Sequence, residues 1–144
     1  MRRALFAILL LCLSMAGSAG SQTVVLVVGA GSHVRDLEPI AIRKLFLGLP
    51  VFVEGVQLHP LRNRSDPQLE PIFFQQIVAM SEEAYDRQIL IGVNRQGRLR
   101  PPEVTDRRRL LELLYSDPAA VSFVWLRDVA HDPRIRVIRV LWDE

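Results

Sequence analysis

Val24-Val25-Leu26-Val27-Val28, running into Gly29-Ala30-Gly31-Ser32, decides the fold class. An unbroken apolar run dominated by β-branched valine leaves no polar face. It predicts a strand buried on both sides, in a sheet covered by helices. The glycines and Ser32 make its end a flexible turn. Outward from there, Leu37, Ile40, Ala41 and Leu45 recur at helical spacing, with Arg43 and Lys44 in the closing turn and Gly48 where a left-handed cap falls. Residues 51–53 and 56–61 flank Glu54-Gly55 and predict a hairpin or a bent strand pair.

Asp66-Pro67 starts a second helix through Phe73, Phe74, Ile77 and Val78, although Pro71 makes its first turn ambiguous. Ser81 caps a third, with Glu82 and Glu83 in its first turn and Tyr85, Ile89 and Leu90 as buried positions. Residues 94–102 read as a polar loop. A fourth helix starts at Thr105 or Asp106 with Leu110, Leu111, Leu113 and Leu114 inside, and residues 121–125 and 135–141 read as strands. There is no internal repeat and no low-complexity segment. Alternating strands and helices predict an α/β domain with a mixed sheet.

The 144 residues suffice for one domain and exclude a multidomain enzyme. Met1-Arg2-Arg3, the apolar residues 4–13 and the small residues around Ala19-Gly20-Ser21 have the form of a signal peptide, cut after Ala19 or Ser21. The expected division is thus 1–21 signal and 22–144 domain, with a periplasmic location. The apolar run is too short to span a bilayer. The whole chain carries 18 basic and 16 acidic residues. Without Arg2 and Arg3 the charge is zero, so a pI of about 9.2 gives no support for nucleic-acid binding. Cys12 lies inside the apolar run behind three leucines, which argues against lipidation. Its loss leaves no cysteine for disulfides, thiol catalysis or metal ligation.

Arg43-Lys44-Leu45-Phe46-Leu47-Gly48, then the hairpin, then Leu61-Arg62-Asn63-Arg64-Ser65-Asp66, Phe73-Phe74, Pro101-Pro102 and Pro118-Ala119-Ala120-Val121-Ser122-Phe123-Val124 follow one another in an order that resembles a known family. It is the periplasmic-binding-protein-like domain of phosphate ABC transporter substrate-binding proteins. The resemblance covers about residues 24–141 and implies a single compact lobe of the type II kind. It also implies binding of phosphate or another small oxyanion, without catalysis, in a transport or sensing system. Arg64, Ser65 and Asp66 match the family's Arg-x-Asp element, in which the arginine neutralises the anion and the carboxylate accepts its proton. Gly31 and Ser32 lie in the segment, residues 29–32, that corresponds to the first anion-facing loop. This chain departs from the family at Pro67-Gln68-Leu69-Glu70, where a Gly-Ser-Gly-Thr-like stretch is usual, and at Ala119 and Ser122, which replace glycines.

Two functions follow. One is direct oxyanion binding, with a second protomer available to supply the missing lobe. The other is a non-catalytic interaction module that has lost the anion pocket and docks on a membrane transporter, porin or sensor protein. No cofactor and no metal are expected. Val34 removes the third glycine of a dinucleotide fingerprint, Ser32, His33 and Asp36 lack a nucleophile elbow, and His33, His59 and His131 lack metal-site spacing. Arg107-Arg108-Arg109 reads as a solvated helix face, Trp125 as core, and Trp142 as folded back onto the sheet or left for a partner.

Overall fold

The computed structural model describes residues 22–144; the expected signal segment, its cleavage sites and Cys12 lie outside the described residues. The chain forms β1 (Thr23–Gly29), α1 (Pro39–Phe46), β2 (Phe52–Val53), β3 (Val56–Gln57), β4 (His59–Pro60) and β5 (Arg62–Asn63). Next come α2 (Leu69–Ile72), which continues into a π-helical turn (Phe73–Ile77), and then α3 (Glu82–Gln96), β6 (Glu103–Val104) and α4 (Arg107–Ser116). The chain closes with β7 (Ala120–Trp125), α5 (Leu126–Val129) and β8 (Ile135–Asp143). The main sheet has the order β4-β7-β1-β8. It is mixed, because β1 runs antiparallel to β7 and β8 while β4 runs parallel to β7.

β1 is buried along its whole length, as its unbroken apolar run predicts. Its alternating side chains feed two cores. Val24, Leu26 and Val28 pack with residues of α1, α2, the π-helical turn and α3. Val25 and Val27 pack with Leu110 and Leu114 of α4 and Val129 of α5. β7 divides in the same way, Val121, Phe123 and Trp125 to one side and Ala120 and Val124 to the other. Each fully buried Val, Leu or Phe contributes roughly 1.5–3 kcal/mol relative to exposure, so this sandwich of helices, sheet and helices is the main source of stability.

Local signals explain most element ends. Glu54 and Gly55 both take positive φ, 50° and 78°, as a two-residue hairpin turn between β2 and β3 requires. The Ser81 side chain accepts the Ala84 N–H, and the Asp106 side chain accepts the Arg108 N–H. Pro71 sits in the first turn of α2, where its missing N–H leaves no intrahelical bond unmade. Three expectations need correction. Ile40 is 67% exposed and Ile42 takes its place in the core, so the buried face of α1 is rotated from the predicted one. α3 continues through Asn94 to Gln96, ending at Gly97 in the left-handed conformation with its N–H bonded to the Gly92 carbonyl. Leu90, at 56% exposure, faces outward from that helix.

Candidate functional site

Residues 61–66 are held between two strands. The Ser122 hydroxyl donates to the Leu61 carbonyl at 2.6 Å and the Asn63 amide to the Phe123 carbonyl at 2.9 Å. On the other side, the Arg62 and Arg64 N–H groups donate to the Pro102 and Val104 carbonyls, each at 2.8 Å. Ser122, a departure from the resembled motif, thus fastens this segment to β7. Two residues apart in extended chain, Arg62 and Arg64 project to the same side.

The arginines meet two glutamates. Arg62, only 4% exposed, places Nη2 2.9 Å from Glu70 Oε2 and Nη1 3.0 Å from Glu103 Oε1. Arg64 places Nη1 2.9 Å from Glu103 Oε2 and Nε 3.3 Å from Glu70 Oε1. The four side chains close a ring of alternating charge. The Arg62 guanidinium also lies 4.5 Å from the Phe73 ring centre and 5.2 Å from those of Phe74 and Tyr85. Burial raises the Glu103 carboxyl, but the Arg64 hydrogen bond and the charges of Arg62, Arg64 and Arg100 outweigh it and hold the group below its usual value. Arg64 is raised, first by its bond to Glu103 and then by the charges of Glu70 and Glu103. Burial pushes the Tyr85 hydroxyl up to about 12, and it donates to the Phe46 carbonyl at 2.8 Å.

Ser65 and Asp66 are engaged nearby. The Ser65 N–H and hydroxyl both donate to Asn63 Oδ1, at 2.9 and 2.7 Å. Asp66 Oδ1 accepts the Gln68 N–H and Oδ2 accepts the Trp125 indole N–H, both at 2.9 Å. A hollow of about 310 Å³ beside Ser65 and Asp66 is bordered by Arg107 and Arg127. Arg107 is 3.0 Å from Asp128, and Arg127 lies over the Trp125 ring at 4.7 Å.

Gly31 and Ser32 stand at the other end of the sheet. Val28 pairs with Val121 and Val24 with Trp125, so the turn after β1 and the Asp66–Trp125 contact are separated by the length of the strand, roughly 13 Å or more. The Ser32 hydroxyl accepts the Val34 N–H, its own N–H donates to the Gly29 carbonyl, and its carbonyl accepts Arg136 Nη2 at 2.6 Å. Ala30 N–H donates to the Arg134 carbonyl. Gly31 faces open space, whereas a Cβ on Gly29 would meet the Leu114 carbonyl oxygen at 2.2 Å. Gly29 therefore serves the close approach of α4 to β1. The five expected site residues form two groups, Arg64, Ser65 and Asp66 at one end and Gly31 and Ser32 at the other.

Sequence reasoning missed Arg62 and named Glu70 only within the stretch that departs from the resembled family. The i, i+2 spacing of Arg62 and Arg64 in a strand is the signal that pairs them. Asp36 is held by Arg139 through two bonds of 2.9 Å, and no hydrogen bond joins it to Ser32 or His33. His59 Nδ1 lies 2.7 Å from Asp117 Oδ2 at the surface. Among the described residues no three His, Cys, Asp or Glu side chains gather as a metal site, and no helix is long and apolar enough to cross a membrane. Trp142 folds back on Trp125, edge to face at 6.4 Å.

No family model and no curated protein matches the sequence. Solved structures do. A Clostridium perfringens protein solved with bound phosphate aligns at a TM-score of 0.61 and 12% identity, over 83% of this chain and 45% of its own. An ABC-type phosphate transport receptor from Vibrio cholerae aligns at 0.56 and 12%, over 83% and 46%. PstS from Borrelia burgdorferi aligns at 0.58 and 7%, over 82% and 47%. The described residues therefore have the fold of the phosphate ABC transporter substrate-binding proteins, over a little less than half the length of each.

Proposed function

We propose that this protein is a non-catalytic, exported binding-protein lobe that acts by docking on a membrane partner of a transport or sensing system, its anion-binding arginine already neutralised from within. The closed ring of Arg62, Glu70, Arg64 and Glu103 carries this reading. An oxyanion reaching Arg64 finds Nε and Nη1 already facing Glu70 and Glu103 and shares the site with two carboxylates. The ring is neutral overall, so an added anion gains little attraction and meets two carboxylates at close range. Asp66 likewise has both oxygens occupied, by Trp125 and the Gln68 N–H. The signal segment expected from the sequence of residues 1–21 and the fold support a place among envelope binding components.

A second reading, direct binding of phosphate or a similar oxyanion, is favoured by the hollow beside Ser65 and Asp66. There Arg127 has no carboxylate ion pair among the described residues, and a second protomer could complete the enclosure. Thermal unfolding in millimolar phosphate, sulfate and chloride at matched ionic strength separates the two. Docking predicts no phosphate-selective shift. A rise of several degrees that vanishes in Arg64→Ala or Arg127→Ala selects the second reading.

A further inference from the structure

A groove of about 520 Å³ opens beside β4, between the end of α1 and the loop 97–102 that joins α3 to β6. Leu58 and Leu61, both part of the buried core, form its floor, and Pro60 and Pro101 stand in its walls. The loop is fastened at both ends: Arg98 N–H donates to the Gly92 carbonyl at 3.0 Å, and the Pro102 carbonyl accepts the Arg62 N–H at 2.8 Å. It also rests directly on Gly48, whose φ is +78° and where a Cβ would stand 2.8 Å from the Leu99 carbonyl oxygen. Leu99 is nevertheless 86% exposed at the lip. A large aliphatic side chain displayed on an anchored loop is a preformed contact, since little ordering is needed when something covers it.

The formally charged side chains in the groove lining are both arginines, although Asp117 pairs with the lining His59 at 2.7 Å. Arg98 and Arg100 flank Leu99, neither has a carboxylate within ion-pair distance among the described residues, although the Arg100 charge reaches Glu103, and no acidic side chain lines the groove. Exposed apolar groups extend beyond it. Leu90 and Val93 lie on the outward side of α3, which leads into the loop, and Phe52 and Val56 lie on the β2–β3 hairpin next to the wall formed by Pro50 and Gln57. That spread exceeds what a small ligand in the groove would cover. A second copy meeting the same face across a two-fold axis would bring Arg98 and Arg100 against their own copies. A flat membrane surface would leave the concave floor unfilled.

We propose that this groove is the docking site and that it takes an acidic apolar segment of a partner protein. One large apolar side chain enters over Leu58 and Leu61, and flanking Asp or Glu residues meet Arg98 and Arg100. This rests on the docking reading and names its surface and the chemistry of its partner.

The test uses the purified protein and synthetic 15-residue peptides with a central Leu or Phe flanked by Glu, by Lys or by Ser, with binding read by fluorescence anisotropy. The Glu set should bind at least about tenfold more tightly than the Lys set, a difference of about 1.4 kcal/mol. Leu99→Asp should abolish binding, and Arg98→Glu/Arg100→Glu should turn the preference towards the Lys set. Thermal unfolding of each variant is the folding control. Because the Arg98 side chain packs on Gly92, Arg100→Glu alone carries the charge test if the double variant is less stable. Equal binding of both charge sets, or of neither, overturns the proposal. So does binding to phosphatidylglycerol vesicles, or concentration-dependent dimerisation, that Leu99→Asp removes. A phosphate-selective thermal shift alongside Glu-set binding would overturn the loss of the anion pocket and leave the groove standing. No peptide binding together with no phosphate shift would overturn the groove and leave docking to another face.

Discussion

The ring around Arg62 and the groove beside Leu99 adjoin along the chain, the ring using Arg62 and Glu103 and the groove using Leu61 and Pro102 just before them, and they treat charge in opposite ways. In the ring, two arginines and two glutamates close on one another, and the aromatic rings of Phe73 and Tyr85 cover the more buried arginine. At the groove, Arg98 and Arg100 stand on an anchored loop around an exposed leucine, with no acidic side chain in the lining. Charges satisfied inside the fold hold it together and have little left for a ligand. Charges left open on a rigid apolar surface contribute little to stability and remain available to a partner.

The largest expected effect tests the first half of that contrast. Arg62→Ala should cost about 3–5 kcal/mol in denaturant unfolding, because two partly buried carboxylates lose the more buried of their two arginines and Phe73 loses its cation. A loss under about 1 kcal/mol would mean that the ring does not carry the structure, and the contrast would break.

Gly29→Ala should cost about 1–3 kcal/mol by forcing the Leu114 carbonyl of α4 away from β1, while Gly31→Ala should stay within about 0.5 kcal/mol. The pair sharpens the assignment of the turn after β1 to packing, and equal effects would argue against it. Asp66→Ala should cost about 1–2 kcal/mol through the lost bonds to Trp125 and to the Gln68 N–H.

The ring should also mark the acid limb of the stability curve. The folded Glu103 carboxyl lies below its usual value, so its contribution is complete above the unfolded pKa of roughly 4.3 and is lost as the pH falls through the folded value. Asp36 and Asp132, lowered chiefly by bonds from Arg139 and Tyr115, act in the same direction. Melting temperatures measured downward from pH 6 should fall below about pH 4, and Glu103→Gln should flatten that fall. An unchanged acid limb in the variant would remove Glu103 from the account.

The smallest effect lies at the groove. Leu99→Asp should change stability by no more than about 0.5 kcal/mol, because the side chain is already in solvent. A clear loss of stability would mean that Leu99 belongs to the fold and is not held for a partner.

Much of the fold was legible because its signals are local. The apolar run of β1, the caps at Ser81 and Asp106, and the turn at Glu54-Gly55 each read correctly from neighbouring residues. Ile40 and Leu90 were misplaced because helical spacing identifies an apolar stripe but not which edge of it the sheet covers. The candidate site was legible only in part. Arg64, Ser65 and Asp66 do lie together, but the sequence distance between residue 32 and residue 64 says nothing about which end of a strand each reaches.

The chain by itself determined that β1 is buried on both faces, that helices must therefore cover the sheet, and where α3 and α4 begin. These depend on side-chain chemistry within a few residues. Only the tertiary structure decided that Arg62 meets Glu70 and Glu103, 8 and 41 residues away, and that Gly29 yields to the backbone of α4. It also decided that Gly31 follows one end of β1 while Arg64 lies with Asp66 towards the other end. The physical reason is that an ion pair or a close backbone approach depends on distance in space, and that distance is set when the strands choose their order and direction.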